Sequence, residues 1–184
     1  MPESATRPPI FTIGHSDRSI DEFIGMLREH GVERIVDVRK LPGSRAHPQF
    51  NDDALAASLS AVGVGYQRIE ELAGRRPVSK EVAFGVNAFW KNRSFHNYAD
   101  YALSESFRHG LDRLRQEQEA APVAIMCSEA VWWRCHRRII ADHLLTHGED
   151  VRHIMSAAKA DAASLTSGAV THPDDSVTYP PTGN

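Results

Sequence analysis

Five short strand-like runs, the first and fourth of them apolar, separated by longer stretches of helical periodicity, constrain this chain more than any other feature. The runs are Ile10–Ile13, Arg34–Val38, Tyr66–Ile69, Val123–Met126 and Val151–Met155. Runs of this length flanked by turn formers fit buried strands and are too short for helices. Between the first two, Ile20, Phe23, Ile24 and Leu27 fall at i, i+3, i+4 and i+7, with Ser19 or Asp17 to cap the helix and Gly31 to end it. Asn51 caps a second helix, with Leu55, Leu59 and Val62 inward. A third runs from Tyr98 to about Gln118, and a fourth from Cys135 to His147 with a Gly148 stop. Strand–helix alternation of this kind predicts an α/β fold: a single domain with a mostly parallel sheet of about five strands and helices on both faces.

The 184 residues suffice for one domain. Residues 1–9 hold three prolines and no periodicity and read as a disordered arm; the domain runs over 10–155; residues 156–184, rich in Ala, Ser, Thr and Pro, read as a mobile tail in which only Val177–Pro180 is suited to dock. Residues 71–97 form a polar insertion with scattered aromatics, and such insertions are more often functional than idle. A net charge of −3 argues against a general polyanion binder. No apolar run approaches the roughly 18 residues of a membrane span, and the first residues lack the apolar core of a secretory signal. A cytoplasmic location with no membrane partner is therefore expected, with the two cysteines as reduced thiols, metal ligands or a transient redox pair and not a structural disulfide. No pattern specifies an oligomeric state.

The chemistry concentrates in Ala124–Arg138, AIMCSEAVWWRCHRR, which carries both cysteines and two of the three tryptophans. Cys127, Ser128 and Glu129 follow a strand; Cys135, His136, Arg137 and Arg138 open a helix. In a parallel sheet the carboxyl ends of all strands lie on one edge, so His15-Ser16, Asp37 with Arg39, and Cys127–Glu129 are expected to converge there. Singly, each has a plainer role: an Asp37–Arg39 structural ion pair, a turn histidine, a helix-capping His136, a cysteine acting as a small buried hydrophobe. Together they point to a cleft. Cys127 is the expected nucleophile, with Glu129 or His136 handling the proton. Arg39 and Arg45, with Ser44 between Gly43 and Arg45, would grip an anion. Trp132 or Trp133 would wall the pocket, and His15, Ser16, Cys135 and Arg137 would complete the substrate site.

At eight residues apart, the cysteines are too widely spaced for a CxxC redox or zinc motif. A mixed site of Cys127, Cys135, His136 and His15 has no short ligand motif behind it, and no metal or other cofactor is assigned. There is no glycine-rich phosphate loop and no dinucleotide fingerprint. Three functions compete. The first is an enzyme using a cysteine-centred site on a small anionic or nucleobase-like substrate. The second is a non-catalytic nucleotide- or nucleic-acid-binding module gripping through its arginines and tryptophans, disfavoured by the acidic net charge. The third is a metal- or redox-sensing protein using Cys127 and Cys135.

TIGHS at Thr12–Ser16, DVRxxPxSR at Asp37–Arg45 with Phe50-Asn51, and ELAGRR at Glu71–Arg76 make up one set of motifs. FHNYADY at Phe95–Tyr101, MCSEAVWWRCHRRIIADHL at Met126–Leu144 and VRHI at Val151–Ile154 continue it. Through these the chain resembles the DUF488 family of bacterial and archaeal proteins over nearly its whole folded part. Ala73 departs from the family's usual glycine and Ser128 from its commoner alanine; neither change removes a reactive group. The resemblance implies no particular reaction. It does place the family's motifs on the residues picked out above.

Overall fold

The computed structural model describes residues 7–43 and 45–182. Its centre is a six-stranded sheet built from β1 (Ile10–Gly14), β2 (Arg34–Asp37), β3 (Gly65–Arg68), β4 (Val123–Cys127), β5 (Val151–Ser156) and β6 (Lys159–Ala162), in the order β3-β2-β4-β1-β5-β6. The first five are the strands expected from the sequence, and they pair in parallel; β6 is added antiparallel at the β5 edge. The fold is therefore α/β and mostly parallel.

Period-two alternation divides the strand residues between two cores. Phe11, Ile13, Ile35, Ala124 and Met126 pack beneath α1 (Ile20–Glu29) and α2 (Asp52–Ser60). Val36, Val123, Ile125 and Cys127 face the opposite way, towards α3 (Arg93–Tyr101), α4 (Glu105–Ala120) and α5 (Arg137–Thr146). Ser19 caps α1 by accepting the Glu22 amide, as its position predicts. The helix expected from Tyr98 to about Gln118 is two helices. It starts earlier, where the Asn92 side chain takes the Ser94 and Phe95 amides, and breaks at 102–104, where Ser104 caps α4 by accepting the Phe107 amide. A serine side chain competing for backbone donors breaks an otherwise continuous apolar stripe.

Residues 156–182 depart from the expected mobile tail. Beyond β6, a small hairpin of β7 (Val170–Thr171) and β8 (Val177–Thr178) lies against the domain, and Val177 and Tyr179 are fully buried. The Tyr179 hydroxyl donates to Asp142 at 2.7 Å, its amide to Asn87 at 2.8 Å, and its carbonyl accepts the Phe89 amide at 2.9 Å. Val177–Pro180, the stretch suited to dock, does so; the rest of the segment gives no sign of order in the sequence because scattered apolar residues in a polar stretch produce no periodicity. The described part of the expected N-terminal arm is also held: Arg7 pairs with Glu119 and Glu149 at 3.1 and 3.0 Å. Tyr179→Phe leaves the buried Asp142 carboxyl with the Thr166 amide but without its hydroxyl partner. The expected loss is about 1–2 kcal/mol, read by urea denaturation; an unchanged midpoint would show that this hydrogen bond contributes nothing.

Candidate functional site

The chain leaves β1 towards β2 on one side of the sheet and leaves β4 towards β5 on the other. Neighbouring strands whose connections diverge in this way open a crevice at their carboxyl ends. His15-Ser16, Asp37–Arg39 and Cys127–Glu129 meet there, as expected. The loop after β4 is tied to the loop after β1 by the His15 amide donating to the Cys127 carbonyl (2.9 Å) and the Ser16 amide to the Ser128 carbonyl (3.0 Å). The two loops are so close that a Cβ built on Gly14 would lie 1.8 Å from the Glu129 carbonyl oxygen.

Asp37 is fully buried and organises the β2 end. It accepts from Arg39 Nε at 3.0 Å and Nη2 at 2.7 Å, from the Arg39 amide, and from the Tyr66 hydroxyl at 2.5 Å. This fixes the guanidinium and leaves Arg39 Nη1 3.3 Å from His15 Nε2. His15 Nδ1 donates to the Ser16 carbonyl at 2.8 Å, so Nε2 is the bare acceptor for Arg39. Burial is the main cause that lowers the His15 pKa to about 4, with Arg39 adding to it. The imidazole, stacked 4.3 Å from Phe50, has both nitrogens engaged. It aims Arg39 and has no free nitrogen to offer a substrate.

The two thiols lie side by side, with Sγ atoms 2.6 Å apart. Cys135, just before α5, also receives the Arg137 amide and Arg137 Nε, each at 3.4 Å, and has His136 Nδ1 at 3.6 Å. Arg137 is 1% exposed. Its remaining donors go to Thr12 Oγ1 (3.1 Å) and the Glu129 carbonyl (2.6 Å), and Thr12 Oγ1 lies 2.7 Å from His153 Nδ1. Among the described residues no carboxylate pairs with Arg137; the titratable groups that raise its pKa are the two thiols, Cys127 and Cys135. Burial, and then the adjacent Cys135, pushes the Cys127 thiol up. Burial acts on Cys135 in the same direction, but the hydrogen bond from Cys127, the His136 imidazole and the Arg137 guanidinium outweigh it and hold Cys135 well below the ordinary cysteine range.

Both thiols line a cavity of about 330 Å³. Arg39, Lys40, Arg75 and Arg134 supply its positive charge against the single carboxylate of Glu129, and Phe95 and Tyr98 form its apolar wall. A neighbouring cavity of about 510 Å³ shares Arg39, Arg75, Ser128 and Glu129 with it and adds His15, Ser16 and His47. Arg75, Arg134 and Tyr98 were not singled out from the sequence. ELAGRR and FHNYADY carry two of them, and Gly74 of the first motif seats His136, since a Cβ there would lie 2.8 Å from its Nδ1.

Several expected site residues lie elsewhere. Trp132 and Trp133 line neither cavity: Trp132 stacks on His153 at 4.5 Å and Trp133 meets its edge. Successive side chains of the one-turn 3-10 helix Trp132–Arg134 point in different directions, which sends Arg134 to the cavity and Trp132 to β5. Arg45 is exposed and lines neither cavity, and Ser44 lies outside the described residues. Arg137 faces inward as a counter-ion, with its donors spent inside the protein. The insertion at 71–97 serves two places: Gly74, Arg75, Asn92, Ser94 and Phe95 reach the site, while Phe84, Trp90 and His96, with Asp100, border a separate cavity of about 650 Å³. Among the described residues no group of three or more His, Cys, Asp or Glu side chains is placed to hold a metal, and no helix is long and apolar enough to cross a membrane.

A family model described as "Domain of unknown function DUF488" matches residues 19–144, more than half of the chain. The chain belongs to the DUF488 family. Within the DUF488 match lie Arg39, Arg75, Cys127, Cys135 and Arg137; the TIGHS segment that packs against them precedes it. No curated protein and no solved structure gives a significant match.

Proposed function

We propose that this DUF488 protein is an enzyme that uses a cysteine thiolate on a small anionic substrate, with Cys135 as the nucleophile and Cys127 as its hydrogen-bond donor. What carries the assignment is Arg137: a guanidinium 1% exposed, with no carboxylate partner among the described residues, donating to Cys135 Sγ. A buried cation needs a compensating negative charge, and the Cys135 thiolate supplies it. The expectation of Cys127 as nucleophile follows from its place at a strand end; the hydrogen bonds favour its neighbour.

In this scheme Arg39, Arg75 and Arg134 hold the anion. Cys135 Sγ forms a bond to the electrophilic centre as the leaving group departs, and Glu129 and His136 stand beside it for proton transfer. The nucleic-acid alternative draws no support from the tryptophan pair, which lies away from the cationic cavity.

The test compares iodoacetate with iodoacetamide on the native protein and on the same protein unfolded. A cleft lined by positive charge raises local anion concentration. The native protein should therefore favour iodoacetate over iodoacetamide by about ten-fold or more relative to the unfolded chain, with the label on Cys135. Arg134→Glu should remove most of that preference. An identical ratio in the native and unfolded states, or preferential labelling of Cys127, would overturn the proposal.

A further inference from the structure

Cys127 has no free role in the scheme above beyond donating one hydrogen bond, yet its sulfur is 2.6 Å from that of Cys135. Both are free cysteines, 4% and 6% exposed, and both border the 330 Å³ cavity. Their backbones are held from two directions. Cys127 is the last residue of β4, and its carbonyl receives the His15 amide; Cys135 is tied through Arg137 to the Glu129 carbonyl. The sulfurs are therefore held together by the sheet and by α5, not by chance rotamers of a free loop.

We propose that Cys127 and Cys135 form a reversible disulfide when the protein meets hydrogen peroxide, with Cys135 oxidised first and Cys127 resolving it. The order rests on the assignment of Cys135 as the thiolate. In the first step Cys135 Sγ attacks a peroxide oxygen, the O–O bond breaks, and the departing hydroxide takes a proton to leave as water; Cys135 becomes a sulfenic acid. In the second step Cys127 Sγ attacks Cys135 Sγ, the S–O bond breaks, and a second water leaves with the Cys127 proton. Two thiols and one peroxide thus give one disulfide and two waters. A dithiol reductant returns both thiols and is itself oxidised. The bond would occupy the nucleophile, and it would also spare Cys135 from irreversible oxidation, because the resolving sulfur is already in place.

The test uses the full chain, reduced and freed of reductant, then treated with equimolar peroxide. Both thiols should disappear together from the titration, the monomer mass should fall by two hydrogens, and dithiothreitol should restore both. Cys127→Ser should stop at a sulfenic acid on Cys135 that dimedone traps, whereas Cys135→Ser should leave Cys127 unmodified. The proposal fails if both thiols persist, if the disulfide joins two chains, if wild-type Cys135 passes to sulfinic acid while Cys127 stays free, or if dimedone labels Cys127 in Cys135→Ser. The iodoacetate preference is read on reduced protein without oxidant. Its loss alone removes the enzyme assignment, while its survival beside persistent thiols removes only the disulfide.

Discussion

Gly14→Ala should cost about 4 kcal/mol or more and abolish the fast thiol, a magnitude reached only where a substitution breaks the fold locally. The added Cβ would lie 1.8 Å from the Glu129 carbonyl oxygen, 2.5 Å from its carbon and 2.9 Å from Ala130 Cα, all backbone atoms that cannot rotate away. Relief requires the β1 and β4 loops to separate. That breaks the His15–Cys127 and Ser16–Ser128 backbone bonds, and it draws the Glu129 carbonyl away from Arg137. Urea denaturation and the alkylation rate at neutral pH measure the two consequences. A loss below about 1 kcal/mol with unchanged alkylation would show that the loops are not in this contact.

That glycine marks the boundary of what is legible from the sequence. The inner parallel strands stand out as mainly apolar, because buried parallel strands need no polar face, whereas the partly exposed edge strand β3, GYQR, is marked mainly by the glycines around its start. The gathering of His15, Arg39, Cys127 and Glu129 follows from the single-edge rule for parallel sheets. What escapes depends on side-chain direction. Nothing in AIMCSEAVWWRCHRR tells Arg134, which reaches the cavity, from Trp132, which stacks on His153, or says that Arg137 turns inward to Cys135. Gly14 and Gly74 read as turn formers, although their use is to let the Glu129 carbonyl and the His136 ring approach. Val177–Pro180 is legible as a stretch suited to dock, but the order of the hairpin around it is not, because so few buried side chains among polar neighbours carry no period.

Mild acid should destabilise the protein steeply. Burial holds His15 at a pKa of about 4, and His143 and His153 at about 3. Each stays neutral in the folded state where the unfolded chain, titrating at about 6.5, takes up a proton. The stability that these neutral histidines represent is complete above about pH 6.5 and falls as the pH drops towards their folded values, below which both states are protonated. Each contributes a slope of about 1.4 kcal/mol per pH unit inside that window, so the three together approach about 4 kcal/mol per unit. His143, packed on Phe107 at 4.8 Å with no partner for Nε2 among the described residues, is the separable one. Urea midpoints should fall from about pH 7 to about pH 5, and His143→Gln should flatten the fall by roughly a third. A flat profile over that range would mean that the three rings titrate as they do in the unfolded chain.

A thiolate on Cys135 that balances the buried charge of Arg137 should show in a pH titration of the thiolate ultraviolet absorbance. The wild-type protein and Cys127→Ser, whose serine keeps a hydroxyl donor, should each show one thiolate that persists well below the ordinary cysteine pKa of about 8.5. Cys135→Ser should show none in that range, its remaining Cys127 ionising only at high pH. A low-pH thiolate that survives Cys135→Ser and disappears in Cys127→Ser, or the absence of any thiolate at neutral pH in the wild type, would show that Cys135 is not the counter-ion of Arg137.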